Sequence, residues 1–367
     1  MELRLLHEWM AYTSETLSTT VDFWKIRAPL LALQNRFVFE ALLALAALHG
    51  SRKEAKAWSG LHGREVAVSS NSVATNEQGS EATTPNEWKK WKAFGGESLP
   101  TGSASVLNAT PEARRGMLEV SRKYFSRALE GQQKAVASIS SQTIQSSYLC
   151  SMLVNYYSLF TLSDGDDDGS GVPVGLMNWI RVSRGVRHII NQMTQLSAGS
   201  LQAESMHAEP DLSDTDELFH PVHMEPFKYL LSNVEGDEVA EEDRTAYEHT
   251  LSYVGLIYKG IVQNLDSPLA TGRRCNAMPA SVPMRFLDLV EANQPRAMAI
   301  MAHVFASMQL VQESYPWFKG IAEHQIPLIC RSLPRQWTEF VQWPLQIIQG
   351  GGENGSGHVV HAENDGV

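Results

Sequence analysis

Cysteine is scarce in this chain: three residues in 367. Cys150, Cys275 and Cys330 lie far apart and form no CxxC, so their spacing excludes a zinc ribbon or knuckle, which needs thiolates paired a few residues apart. An odd count suits a reducing compartment. Positive charge is also short, with Lys+Arg at 30 against Asp+Glu at 41 and a formal net charge of −11. Non-specific binding of a phosphate backbone works by Lys and Arg displacing counterions, so the chain as a whole is poorly suited to it, although a total does not exclude a local basic patch. Long apolar runs are missing: Phe37 to Leu48, interrupted by Glu40, falls well short of the about 20 residues that span a bilayer. No secretory leader is read at the start. These absences lead us to expect a soluble, intracellular protein. Period-2 alternation bounded by hairpin turns is absent as well, which removes the main signal for strands.

What remains is helical. Apolar residues make up 43% and charged residues 19%, enough for a sizeable core. The patterning predicts a helix over 3–17 and, beyond Pro29, another over 36–49 ending at Gly50 as its C-cap. Ala41, Ala44 and Ala47 would let a neighbouring helix approach closely. From about 59 to 111 the chain is rich in Ser, Thr, Gly, Asn and Glu and shows no period, so it reads as a disordered insertion. Trp88, Trp91 and Phe94 inside it read as a loop patch docking on the body, or as a partner-binding motif. Helices are predicted over 114–130, 132–160, 176–190 and 240–264, the last with Tyr247, Leu251, Val254, Tyr258 and Ile261 on one face. Residues 191–220 read as irregular, the last helices fall within 286–345, and 349–367 reads as a disordered tail. The expectation is an all-α, multi-helix bundle over 1–348, interrupted at about 59–111.

The polar motifs give little chemistry. Asp164, Asp166, Asp168 and Gly169 match the first half of a calcium-binding EF-hand loop, but the twelfth position, which should be a bidentate Glu, is Gly175. A solvated acidic turn is the better reading. Gly169, Gly171 and Gly175 miss the dinucleotide fingerprint by one residue and follow a helix rather than a strand. His220 and His223 form HxxH without a Glu companion, and His7-Glu8 has Ala11 where HExxH needs its second His. Asn108-Ala-Thr110 is a glycosylation sequon, which carries no meaning in a chain that is not secreted. No GxSxG elbow or phosphate-binding P-loop occurs. Neither a cofactor nor a metal site is expected, and no catalytic set.

Two constellations remain as candidates. Arg181, Arg184 and His188 recur at helical spacing with Arg187 beside them, which reads either as a partner or anion contact or as a solvated face paired with nearby acids. Met298, Met301, Phe305 and Met308 share a stripe with Ile300, Val304 and Val311, and Trp317, Phe318, Trp337 and Trp343 follow. Such residues are core packing in the plainest reading. Adaptable Met side chains and aromatics also suit a pocket for a lipophilic ligand, so Met298, Met301, Phe305, Met308, Trp317 and Trp337 are the ligand-site candidates.

Three segments, in this order, resemble one family. The first is LRLLHEWMAYTSETLS with WKIRAPLLALQNRFVFEALLALAALHGSRK, the second is LMNWIRVSRGVRHII, and the third is FLDLVEANQPRAMAIMAHVFASMQLV with the Trp segment and QWP. Together they are similar to the regulatory domain of fungal Zn2Cys6 transcription factors, in the branch of the sterol uptake control protein. The resemblance implies a helical bundle downstream of a zinc-cluster DNA-binding domain, a nuclear protein that shuttles with the cytoplasm, and no enzymatic activity. It further implies a sterol or other lipophilic ligand held in the apolar interior, and a homodimer or a zinc-cluster transcription factor as partner. The family's six-cysteine array is absent from this sequence, so direct DNA binding by these residues is not expected. The insertion departs from the family too, and is either genuine or translated intron sequence. The chain would then be a fragment of a longer factor or a stand-alone co-regulator without ligand. A third alternative is a helical domain recruited as an enzyme or carrier for lipophilic metabolites.

Overall fold

The computed structural model describes residues 1–17, 23–52, 111–164, 174–196 and 218–350. Among them every regular element is a helix and no strand occurs. In chain order these are α1 (Glu2–Ala11), α2 (Ala28–Gln34), α3 (Arg36–Arg52), α4 (Pro111–Val136), α5 (Ile144–Phe160), α6 (Val174–Leu196), α7 (Glu241–Val262), α8 (Pro268–Ser281), α9 (Met284–Glu291), α10 (Pro295–Val311), α11 (Ile321–Ser332) and α12 (Gln342–Gln349), with short 3-10 turns between several of them. The all-α expectation therefore holds. Most of the predicted insertion, with Trp88, Trp91 and Phe94, lies outside the described residues. So do most of the acidic turn, including Asp166, Asp168, Gly169 and Gly171, and the tail beyond Gly350.

The body is built around two helices that are buried on all sides. In α3, every residue from Val38 to Gly50 is buried. A helix with no solvent face must be wrapped by others, and α3 packs against α1, α2, α4 and α5. The small residues act as expected: the Ala44 carbonyl accepts from Ser121 Oγ of α4 at 2.7 Å, and a Cβ on Gly131 of α4 would lie 2.3 Å from Phe37 Cβ. The second such helix is α10, in which all but Pro295 and Leu310 are buried. It packs against α7, α8, α11 and α12.

One apolar core runs through both halves, with a small satellite of Ile144, Ile189 and Met193 between α5 and α6. Buried polar bonds join the halves at fixed points. Asn155 of α5 donates to the Asn276 Oδ1 and carbonyl of α8 at 3.1 and 3.0 Å, and accepts from Ser183 Oγ of α6 at 2.7 Å. Trp317 Nε1 donates to Thr16 Oγ1 at 2.9 Å across almost the whole chain. A buried amide left unpaired costs about 1–3 kcal/mol, so these bonds fix how the helices register as well as satisfying the core.

Several boundaries differ from the sequence reading. Gly50 is not a C-cap but a buried residue inside α3, close to Met117 of α4. The break between α4 and α5 falls at 137–143 rather than near 131. The segment 191–196 continues α6, and Gln349 still belongs to α12. Helix α8 was not predicted, because Pro268, Gly272 and Pro279 look like breakers. Pro268 instead opens the helix next to an N-cap, Ser267 Oγ, which accepts from Ala270 N at 3.2 Å. Pro279 sits in the last turn. Gly272 lies against the Tyr315 ring, where a Cβ would come within 2.5 Å.

Candidate functional site

Helix α10 presents two different faces to the interior. At 100° per residue, Met298, Met301, Phe305 and Met308 fall within a sector of about 80°, and Arg296, His303 and Ser307 lie on the opposite side. All four members of the apolar stripe are fully buried, as are Trp317 and Trp337. The two tryptophans do not close on one point. Trp337 lies under the Arg296 guanidinium at 5.1 Å, at the N-terminal end of α10. Trp317 follows the other end of the helix, stacked on Phe160 at 4.2 Å. Arg296 and Val311 are about 22 Å apart along the axis, so the six candidates line the length of a core rather than ringing one compartment.

The polar face holds side chains that sequence reasoning passed over. Arg296 is buried in the first turn of α10, where the helix dipole disfavours a cation. Asp237 offsets this, its Oδ2 accepting from Arg296 Nη2 at 2.6 Å and Nε at 3.1 Å. The Leu230 and Ser232 carbonyls take the other donors. His303 is fully buried. Its Nδ1–H donates to the Ala299 carbonyl at 2.8 Å, so Nε2 accepts from the Tyr229 hydroxyl at 2.5 Å. Trp343 stacks on the imidazole at 5.3 Å and Phe227 meets it edge-on at 5.1 Å. Burial pushes the imidazole down to about 4, against the opposing effect of the Ala299 bond, and pushes the Tyr229 phenol up. A charged or titratable residue amid a mostly apolar helix was the one visible signal for His303 and Arg296.

A second buried imidazole, His49 of α3, lies 3.4 Å from Glu8 Oε1 and 2.8 Å from Thr13 Oγ1, with the Trp317 ring 5.3 Å away. Both histidines bridge helices in the packed interior. His303 points away from the Met stripe, so it does not place a titrating group beside those residues.

The arginine face of α6 is largely committed within the fold. Arg184 Nη2 pairs with Asp288 at 2.7 Å and Glu291 at 3.5 Å, and Arg181 Nε reaches Glu291 at 3.8 Å, which holds α6 to α9. Arg187 donates to the Ala280 and Val282 carbonyls, and burial together with Arg184 lowers its pKa. Arg181 and His188 remain exposed. His220 and His223 sit in a 3-10 turn, where His220 Nδ1 accepts from Val222 N at 3.3 Å. Among the described residues no group of three or more His, Cys, Asp or Glu is placed to hold a metal ion. Cys150 and Cys275 are buried in separate places, and desolvation raises the Cys275 thiol to about 12. No described helix is long and apolar enough to cross a membrane.

No family model matches the chain. It is 21% identical to a Zn(2)-C6 fungal-type transcription factor of Gibberella zeae over 372 residues, which cover 95% of this chain. The chain spans 61% of that relative's length. The likeness is thus to Zn(2)-C6 fungal-type transcription factors at the family level, and it runs through nearly the whole chain rather than through one segment.

Proposed function

We propose that this chain is a transcription-regulatory helical module of the kind found in fungal Zn(2)-C6 transcription factors, acting in the nucleus and taking no direct part in reading DNA. The observation that carries this is the extent of the likeness to the Gibberella zeae factor, 95% of the chain. The three separated cysteines support the second half of the reading, since six thiolates shape a zinc-cluster DNA reader. The test is to fuse the full chain to an unrelated DNA-binding domain before a reporter gene. Activation or repression relative to that domain alone is expected, and an unchanged reporter would sink the proposal.

Within this reading, the Met298, Met301, Phe305 and Met308 stripe is where a lipophilic ligand would act, a sterol being the first choice. Support comes from three methionines in one buried sector, because unbranched thioether side chains repack with little strain. Any such ligand must displace core contacts, so it would bind by opening the body rather than by filling a ready pocket. Binding to the folded state raises stability by about 2.7 kcal/mol at a hundredfold excess over the dissociation constant. A thermal shift with ergosterol that is absent from Met301→Trp is expected. No shift with any sterol removes the ligand and leaves the regulatory role standing.

A further inference from the structure

Helix α4 is an anomaly of charge in this acidic chain. Arg114, Arg115, Arg122, Lys123, Arg127 and Lys134 are all exposed on it, against Glu112, Glu119 and Glu130. Several cations elsewhere pair with acids: Lys25 with Glu15, Arg36 with Glu2 and Glu40, Arg52 with Asp164, Arg274 with Asp266, Arg285 with Asp243 and Arg296 with Asp237. None of the six α4 cations enters an ion pair with a described residue. Glu119 and Glu130 stand four residues before Lys123 and Lys134 and temper those two. Arg115 has Glu112 and Glu119 at helical spacing, Arg122 has Glu119 and Arg127 has Glu130, so these are tempered as well, and of the six cations Arg114 alone has no such neighbour. Arg115 and Arg122 are seven residues apart, so they line one edge of α4 about 10 Å from each other.

That edge borders a groove of about 380 Å³ between α4 and α5, lined by Arg122, Phe125, Ser126, Tyr157, Thr161 and Asp164. Phe125 and Tyr157 stack at 3.9 Å and 12° and give it an aromatic wall. At its far end Arg52 holds Asp164 through Nη2 at 2.7 Å. The groove thus offers an aromatic wall with Arg122 on one rim, and closes at the other on the Asp164 carboxylate, which Arg52 neutralises.

We infer that this groove docks an acidic peptide segment of a partner protein, with an aromatic or aliphatic side chain against Phe125 and Tyr157 and carboxylates on Arg115 and Arg122. Alternating acidic and apolar residues are the composition that fits, the apolar anchor supplying affinity and the carboxylates steering and register. A nucleic acid fits less well. Its binding needs a broad field of cations, and here the positive rim is one helix edge broken by glutamates on a chain of net charge −11. The inference rests on charge and shape alone, so it stands or falls independently of the regulatory reading.

The experiment uses the full chain and a short fluorescein-labelled peptide alternating Asp or Glu with Phe and Leu, followed by anisotropy. The peptide is expected to bind, to weaken as salt rises, and to lose about tenfold in affinity in the R115E/R122E double variant. It should lose as much when its Phe residues become Ala or its acids become amides, and R335E, an exposed residue outside the groove's lining, should bind as wild type. Neither Arg115 nor Arg122 enters an ion pair, so melting temperature should fall only slightly in the double variant, from the new like-charge neighbours Glu112 and Glu119, which separates lost binding from lost fold. Equal binding by the double variant overturns the inference. So does duplex DNA that competes as well as the peptide, which would mark a phosphate-binding surface. Binding that appears only after Asp166, Asp167 and Asp168 are changed to Ala also overturns it, since the chain's own acids would then be the occupant.

Discussion

Tyr229 and His303 share a hydrogen bond of 2.5 Å whose direction is fixed, because the other imidazole nitrogen must donate to the Ala299 carbonyl. The ring is therefore a neutral imidazole locked in one tautomer, enclosed by Trp343 and Phe227. It fastens the 3-10 turn at 225–231 to the middle of α10.

Acid should loosen that fastening. Burial holds the folded-state pKa of His303 at about 4, below its ordinary 6.5. The unfolded chain then takes up the proton first, so the contribution is fully present above pH 6.5 and is lost as pH falls towards 4. Its size is up to about 3 kcal/mol, from 1.36 kcal/mol per pH unit. Urea denaturation across this range should show wild type losing that much more stability than His303→Gln, whose amide oxygen can still accept from Tyr229. Parallel curves for the two would show that His303 does not titrate in this window.

Arg296 is the costliest single polar contact to remove. Its guanidinium bonds Asp237 and two backbone carbonyls and lies over Trp337 and Tyr247 at 5.1 and 5.8 Å. Arg296→Met should destabilise by about 3–5 kcal/mol, because it strands a carboxylate and two acceptors. Replacing Asp237 by Asn in the same variant should recover part of this. A cost under about 1 kcal/mol in chemical denaturation would mean that water reaches these groups.

What could be read in the sequence, and what could not, divides along physical lines. The helical period of α10 was plain, since an apolar stripe is a local signal. The alanines of α3 announced close packing, and Ser121 on the Ala44 carbonyl confirms it. Gly50 misled because a glycine at a helix end looks like a cap, and only the presence of α4 shows it to be a contact. Helix α8 was hidden for the same reason: Gly272 serves Tyr315, a partner 43 positions away in sequence that no local rule reveals. Arg296 and His303 were invisible as buried groups because their partners, Asp237 and Tyr229, come from a segment with no apolar period. Which of the six stripe and tryptophan candidates face one another was equally beyond a one-dimensional pattern.

Two glycines should respond oppositely to alanine. A Cβ on Gly255 would fall 1.8 Å from the His223 carbonyl oxygen, a backbone atom that cannot swing aside. Gly255→Ala must push α7 off the 221–223 turn and should cost about 1–3 kcal/mol or more. Gly185 of α6 has nothing within 4 Å of its Cβ position. There alanine only restricts the unfolded chain and favours the helix, so a gain of about 0.4–1 kcal/mol is expected. Both changes are read as shifts of the denaturation midpoint. A gain at Gly255 would contradict the close approach.

The Met stripe can be made to report whether its surroundings are full. Met301 and Met308 are fully buried in α10, with apolar neighbours on the helices around it. Truncating a packed side chain loses its transfer free energy and leaves a cavity, so Met301→Ala or Met308→Ala should cost about 2–5 kcal/mol without ligand. If the sector bordered a standing empty pocket, the truncated atoms would have had fewer partners, and the cost would fall towards about 1 kcal/mol. The same variants bear on ligand entry. A cavity cut into a full core should admit a small apolar probe such as benzene, which then raises the melting temperature of Met301→Ala but not of wild type. A rise in wild type as well would reveal space already open beside the stripe, and would favour a ready pocket over one made by opening the body.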